Sequence, residues 1–277
     1  MKTILIATDF SPTAKNAADY AAQLSKTTSS SLVLFHSFSL PPMAGDTIVL
    51  PISIDELEGG SNLALNQEAK RLQKLWKVKV EVKQKMGFAS DEIGICAREC
   101  SAQLVVLGMQ PQNKINRFLG NVTTSFLHKN QFPTLIIPEN VPYKHPSIFL
   151  FATDLHSEVN LMGFNVLIEL VGNFGGGIHV LNVVREKQIV NAAESRVGII
   201  LEEQFKNFPH HWHFPNDGNV VHAISKTANE ISADWIAVVP HKLPWFKQLF
   251  HHSVSNELAF STNYPILALP EESPFEN

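Results

Sequence analysis

Residues 4–25 read ILIATDFSPTAKNAADYAAQLS, and residues 148–170 read IFLFATDLHSEVNLMGFNVLIEL. Each stretch is an apolar run that ends in Ala-Thr-Asp and leads into a helical pattern. A buried strand followed directly by a helix is the building unit of parallel α/β sheets. Because the unit occurs twice, with Asp9 and Asp154 at matching positions, the sequence predicts a duplicated domain.

Three further pairs of segments match in the same order: SSSLVLFHSF with GGGIHVLNVV, CSAQLVVLGMQ with ISADWIAVVPH, and QFPTLIIPE with NYPILALPE. The number of residues that separates the two members of a pair becomes smaller after SSSLVLFHSF and GGGIHVLNVV. This change predicts an insertion in the first half at about residues 40–62, which contains the strand-like segment TIVLPI. Three prolines between Pro138 and Ser147 indicate the linker. The predicted domains are therefore residues 1–140 and 145–277.

Continuous apolar runs such as SLVLFH, QLVVLG, LIIP, WIAVV and ILALP are typical of buried parallel strands, and helical stretches separate them. Each half therefore fits five strands and four helices. Ser11 is the predicted N-cap of the first helix, with Pro12 at its first position. The glycine pair Gly59–Gly60 is expected to delay the start of the second helix, and Ser90 is the predicted N-cap of the third.

Composition excludes several classes of protein. The net charge of −4 leaves no basic footprint for nucleic acid or an anionic membrane. No apolar run approaches the roughly 18 residues of a transmembrane helix, and the N-terminus MKTILIATDF is too short and too soon acidic for a signal peptide. Two cysteines, Cys96 and Cys100, make neither a disulfide framework nor a zinc site. These features favour a cytoplasmic protein.

Ligands of open parallel sheets bind at the carboxyl ends of the strands. In the first half, these ends carry Ala7-Thr8-Asp9, His36-Ser37 and the segment VVLGMQPQNKINRFLGN at residues 105–121. In that segment Gly108 ends a strand and Gly120 precedes a helix, so backbone N–H groups there could face a phosphate. A plain structural turn explains the same pattern, and both interpretations stay open from the residues alone.

Histidines are concentrated in the second half, which contains ten of the 12. The segment FPHHWHF contains His210, His211 and His213 within four residues. In a strand, His211 and His213 would share one face, and His222 is nearby in sequence. A metal site is one interpretation. An exposed strand edge is the other, since no carboxylate or cysteine accompanies these histidines.

The chain resembles the universal stress protein family in its tandem, two-domain form. The resemblance rests on ILIATDFSPTAKNAADYAAQLS, on AQLVVLGMQ with FLGNVTTSFLHKNQFPTLIIP, and on ADWIAVVPHK with KQLFHHSVSNELAFSTNYPILALP. It implies an α/β fold of two doubly wound, five-stranded parallel-sheet domains of the adenine nucleotide alpha hydrolase-like type. It also implies a pseudo-dimer in which the last strands, TLIIP and ILALP, face each other.

Family members that bind ATP share a Gly, two residues, a second Gly, nine residues, a third Gly and then Ser or Thr. Gly108 and Gly120 match the first and third glycines, but Pro111 replaces the second, Asn121 replaces the Ser or Thr, and the loop is one residue short. Proline removes a backbone donor and forbids positive φ. The implied cofactor-binding residues are Ala7, Thr8, Asp9, Ser37, Gly108, Gly120, Asn121, Val122 and Thr123.

The second half departs further from this pattern, with Val239, Lys242 and His252 at the three glycine positions. The resemblance therefore implies a non-catalytic, cytoplasmic stress-response regulator with weak binding of ATP or another adenine nucleotide in the first domain only. A weak ATPase or nucleotide-processing enzyme is one alternative, and a pure protein-interaction scaffold with both pockets closed is the other. No catalytic or metal residue is assigned. The expected partners are an adenine nucleotide and an unidentified protein, without nucleic acid or membrane, in a monomeric pseudo-dimer or a homodimer.

Overall fold

The computed structural model describes residues 1–39, 53–109, 122–129, 131–155, 161–184, 196–240 and 264–270. The strands are β1 (Thr3–Ala7), β2 (Ser31–Phe38), β3 (Val80–Met86), β4 (Leu104–Met109), β5 (Thr134–Pro138), β6 (Ile148–Ala152), β7 (Gly177–Leu181), β8 (His210–His213), β9 (Trp235–Val238) and β10 (Ile266–Ala268). The helices are α1 (Pro12–Thr28), α2 (Ile54–Trp76), α3 (Ala89–Glu99), α4 (Val122–Lys129), α5 (Leu161–Phe174), α6 (Arg196–Phe205) and α7 (Val220–Glu230).

The ten strands of the described residues join one sheet, in the order β3-β2-β1-β4-β5-β10-β9-β6-β7-β8. Read outward from the centre, the two halves have the same strand order. Neighbours within each half are parallel, whereas β5 and β10 are antiparallel, with Leu135 opposite Leu267. The prediction that the last strands face each other is therefore confirmed. This pairing covers two sheet edges that would otherwise be open to other chains.

The core crosses the line where β5 meets β10. One face of the sheet packs under α1, α2, α5 and α6, and its buried cluster extends from Ile4 in β1 to Leu269 after β10. The opposite face packs under α3, α4 and α7, where Leu127 of α4 shares a cluster with Ile224 of α7. Because buried apolar area stabilises in rough proportion to its size, the shared core stabilises the two halves together.

The first helix starts as predicted: Pro12 is its first residue, and the Ser11 hydroxyl accepts a hydrogen bond from the backbone N–H of Ala14 at 3.2 Å. Two other predicted starts were wrong. Helix α2 begins at Ile54, so Gly59–Gly60 lies inside it rather than delaying it. The reason is a capping box, in which Ser53 and Glu56 satisfy each other's backbone N–H groups at 3.1 and 3.0 Å.

Ser90 is not the N-cap of α3. That position belongs to Phe88, which has no side-chain cap, and Ser90 is the second helical residue. The carbonyl of Phe88 already accepts from the backbone N–H groups of Asp91 and Glu92 at 2.9 and 3.0 Å. The first turn of the helix therefore begins at Phe88, and Ser90 lies inside that turn rather than at its N-cap.

Part of the predicted insertion is helical. Of residues 40–62, the structure describes 53–62, which form the N-cap and the first turns of α2. The strand-like TIVLPI segment lies outside the described residues. Residues 139–147 connect β5 to β6 without a helix or strand.

Candidate functional site

A tight turn follows β1 at the carboxyl edge of the sheet. The Thr8 hydroxyl accepts from the backbone N–H of Phe10 at 3.0 Å, and Asp9 Oδ1 accepts from the N–H of Ser11 at 3.0 Å. Phe10 adopts a left-handed backbone with φ of 64°, which costs a non-glycine residue about 1 kcal/mol. The turn buries Thr8 and leaves the Asp9 carboxylate exposed beside the N-terminus of α1.

The strand next to β1 supplies a second polar group. His36, near the end of β2, donates from Nδ1 to the carbonyl oxygen of Thr8 at 2.7 Å, because a carbonyl can only accept. Its ring lies against that of Phe10, with 4.6 Å between the centroids. The sequence interpretation placed His36-Ser37 at this edge but assigned nucleotide binding to Ser37 alone. The available signal was that His36 is the first polar residue after the apolar run of β2.

The start of α4 is tied to the end of β4. The Thr123 hydroxyl donates to the carbonyl oxygen of Gly108 at 3.1 Å, and Thr123 is buried. Val122, the first residue of the helix, is 41% exposed. The N-terminus of α4 therefore lies at the same sheet edge as the turn after β1. The backbone N–H groups of the first turn and the helix dipole attract anions to the N-terminus of a helix in general.

Gly108 has a packing role that the sequence interpretation missed. A Cβ atom at this position would lie 2.8 Å from the carbonyl oxygen of Thr13 in α1. Real Cβ atoms do not approach backbone so closely, so α1 can cross β4 here because Gly108 has no side chain. The sequence interpretation explained this glycine by the approach of a ligand, which stays a prediction, and the structure adds the approach of a helix.

The structure brings most of the predicted site residues to one edge, at the carboxyl ends of β1, β2 and β4 and the start of α4. Those residues are Ala7, Thr8, Asp9, Ser37, Gly108, Val122 and Thr123. Gly120 and Asn121, together with Pro111, lie outside the described residues. The phosphate-loop interpretation therefore stays a prediction.

The second half repeats the turn. The Thr153 hydroxyl accepts from the N–H of Leu155 at 3.3 Å, and Leu155 has φ of 59°. In the place of His36, Asn182 donates its amide to the carbonyl oxygen of Thr153 at 3.0 Å. Val239 is half-buried at the position that matches Gly108. The two halves predicted from sequence to be duplicates thus share individual hydrogen bonds at this turn.

Comparison with known proteins agrees with this architecture. Residues 1–138 match the sequence profile of the Universal stress protein family. The chain belongs to the universal stress protein family. No curated protein sequence matches this universal stress protein.

Solved structures share the fold of this universal stress protein over both halves. A universal stress protein from Archaeoglobus fulgidus has a TM-score of 0.71 at 18% identity, covering 97% of this chain and 96% of that one. A putative universal stress protein from Pseudomonas aeruginosa has a TM-score of 0.58 at 16% identity, covering 98% and 94%. A functionally unknown protein from the same species has a TM-score of 0.57 at 16% identity, covering 98% and 93%. The predicted α/β fold is confirmed.

Two further observations concern the described residues of this universal stress protein. In the described ranges, no helix is long and apolar enough to cross a membrane. Within the same ranges, no group of three or more His, Cys, Asp or Glu side chains is arranged to hold a metal ion. His211 and His213 do share one face of β8, as predicted, since both rings contact His179 on β7.

Proposed function

We propose that this protein is a non-catalytic, cytoplasmic stress-response regulator whose first half binds an adenine nucleotide. Its domains would be residues 1–140 and 145–277, the two halves of a pseudo-dimer. The observation that carries the proposal is the meeting of two features at one sheet edge. These are the exposed Asp9 on the turn after β1 and the N-terminus of α4 beside Gly108.

The two features have complementary chemistry for a nucleotide. A carboxylate such as that of Asp9 accepts hydrogen bonds from ribose hydroxyls, and a helix N-terminus attracts phosphate. Strands β1 and β4 are neighbours, and neighbouring strands lie about 4.8 Å apart. A nucleotide can span such a distance, so one molecule would meet both Asp9 and the start of α4. Of the adenine nucleotides, we expect ATP to bind weakly, since Pro111 removes a donor from the loop.

The second half is expected to bind no nucleotide, although its turn repeats the threonine hydrogen bond and the left-handed residue of the first. Val239 replaces the glycine at the end of the strand, and Lys242 and His252 replace the other two. Side chains at these positions would occupy the space through which a phosphate reaches the backbone. The unequal halves fit a regulator that responds to one nucleotide per chain.

The cytoplasmic assignment rests on the cysteines. Cys96 is buried, Cys100 is half-buried, and both are free thiols. A reducing compartment suits a chain without disulfides.

Asp9→Ala is the test of the nucleotide site. Isothermal titration of the full chain with ATP, ADP and AMP should show one nucleotide per wild-type chain. Asp9→Ala should weaken binding at least about tenfold, because a hydrogen bond to a charged group contributes roughly 1.5–3 kcal/mol. Asp154→Ala is the matched control and should bind like the wild type, since it alters the equivalent turn of the second half.

The outcomes separate the alternatives. No heat with any adenine nucleotide, together with a clean apo mass by native mass spectrometry, would refute nucleotide binding and favour the scaffold. Equal weakening by Asp9→Ala and Asp154→Ala would contradict a site confined to the first half. Phosphate release from ATP faster than in buffer, and lost in Asp9→Ala, would replace the non-catalytic regulator with a weak ATPase.

A further inference from the structure

Three imidazoles form a cluster at the outer end of the sheet. His179 on β7 lies opposite His211 on β8, with ring centroids 5.2 Å apart, and 5.1 Å from the ring of His213. His179 Nδ1 and His213 Nε2 are 2.8 Å apart, which is a hydrogen-bond distance. The strand β8 has four residues and, in the part of the chain that the structure describes, it ends the strand order and pairs with β7.

The hydrogen bond between His179 and His213 limits how many protons the pair can hold. One of the two facing nitrogens must carry a proton and the other must present a lone pair. A neutral pair and a singly protonated pair both satisfy this requirement. When both rings are protonated, every nitrogen carries a proton, so two N–H groups point at each other and two positive charges repel.

Both rings of the pair are half-buried. Among the described residues, the ionisable groups that act on the pair are His211 on β8 and Glu230 on α7. On the other side of β7, the residue opposite His179 is Leu150 of β6. The negative charge of Glu230 favours a first positive charge on His213. A second positive charge, on His179, has the imidazole of His211 beside it rather than a carboxylate.

We propose that His179 and His213 form an acid-sensitive latch, which fastens β8 to β7 and opens when both rings are protonated. Burial is the main cause that lowers the pKa of both imidazoles, and the neighbouring imidazoles lower it further. A histidine with a lowered pKa binds fewer protons in the folded state than in the open state. The latch is therefore fully closed above the ordinary histidine pKa of about 6.5 and loses stability as the pH falls below it.

Opening would reach the second-half turn. The backbone N–H groups of Ile178 and Asn182 donate to the carbonyl oxygens of Pro209 and His213 at 2.9 and 3.0 Å. Pairing with β8 therefore protects these amides of β7 from hydrogen exchange. The side chain of the same Asn182 supports the turn through the carbonyl oxygen of Thr153. Acid would thus loosen both the sheet edge and the residue that supports the turn.

The opposite face of β8 responds to acid in the other direction. His210 lies 3.0 Å from Glu202 of α6, and its pKa is raised by a backbone hydrogen bond to Phe208 and by Glu202. Protonation of His210 strengthens its contact with Glu202. Acid therefore weakens the contact of β8 on the α7 face and strengthens its contact with α6 on the other face, whereas general acid unfolding would weaken both.

Hydrogen exchange measured by mass spectrometry tests the latch in the full chain at about pH 7.5 and about pH 5, after correction for the intrinsic exchange rate. Wild-type peptides from β7 and β8 should lose protection at least about tenfold at the lower pH, while β1 and β4 should change less than about twofold. In His213→Gln the amide replaces Nε2 without titrating, so the loss should fall below about twofold. His179→Asn replaces Nδ1 and should behave alike.

His222→Asn is the control, because His222 on α7 is exposed and pairs with Asp217 at 2.7 Å outside the latch. It should keep the wild-type response. Equal loss of protection in His213→Gln and wild type, or equal loss throughout the sheet, would overturn the latch. If the variants fail to fold, NMR titration of the wild-type imidazoles decides. Independent titration of His179 and His213 near the usual pKa refutes the proposal, and coupled titration below it supports the proposal.

Discussion

Trp235→Ala should lower the free energy of unfolding by about 3–5 kcal/mol, the usual cost of removing a large aromatic side chain from a core. Trp235 on β9 is 1% exposed. Its ring packs against Phe149 and Phe174 of its own half, with centroid distances of 5.6 and 6.3 Å, and against Tyr20 of the first half at 6.2 Å. Truncation would leave a cavity where the two halves meet.

Equilibrium unfolding in urea, followed by circular dichroism, measures the effect. Because the core crosses from one half to the other, we expect one transition with a lower midpoint. Two separate transitions in the wild type would contradict a shared core. Trp235→Phe gives a milder test if the alanine variant does not fold, and its expected loss is about 1–3 kcal/mol.

The polar end of Trp235 supplies a matched pair of smaller variants. Its Nε1–H donates to the Tyr20 hydroxyl at 2.7 Å, inside the core. Burial raises the pKa of the Tyr20 phenol well above its usual value, so the group stays neutral. Tyr20→Phe leaves a buried N–H without this acceptor and should cost about 1–3 kcal/mol. Tyr143→Phe, at the half-buried ring that stacks edge-on against Tyr20, should cost less.

Much of the fold could be predicted from local sequence. Apolar runs bounded by polar residues identified the buried strands, because both faces of a parallel sheet are covered. The start of α1 could also be predicted, because Ser is a preferred N-cap residue and Pro a preferred first residue of a helix. The error at α2 came from giving Gly59–Gly60 more influence than the Ser53 to Glu56 capping box. A capping box satisfies two backbone donors, whereas a glycine costs a helix about 1 kcal/mol.

The contacts of the site were harder to predict, because they join residues far apart in sequence. The bond between His36 and Thr8 depends on the register of β1 and β2, and the one between His179 and His213 on the register of β7 and β8. Alternation within one strand shows which residues share a face, but it does not show which residue of the next strand lies opposite. The sequence therefore predicted which residues lie at this edge of the sheet, but not which hydrogen bonds they form between strands.

Gly108→Ala should destabilise the protein by about 1–3 kcal/mol, the usual cost of overpacking. The added Cβ would lie 2.8 Å from the carbonyl oxygen and 2.9 Å from the carbonyl carbon of Thr13. Both are backbone atoms of α1, so a whole helix has to move. Because Thr123 is bonded to the carbonyl oxygen of Gly108, the displacement should also shift the start of α4.

Gly59→Ala is the matched control, since nothing lies within 4 Å of a Cβ atom at that position and the residue is inside α2. The same change of glycine to alanine should there stabilise the protein by about 0.4–1 kcal/mol, through a smaller loss of chain entropy. Thermal unfolding of both variants and the wild type shows whether the melting temperature falls in Gly108→Ala and rises in Gly59→Ala. A wild-type melting temperature in Gly108→Ala would mean that α1 does not constrain this position, and the glycine would then be explained by ligand approach. A lowered melting temperature makes helix packing sufficient to account for Gly108, so that the case for a nucleotide depends on Asp9 and the start of α4.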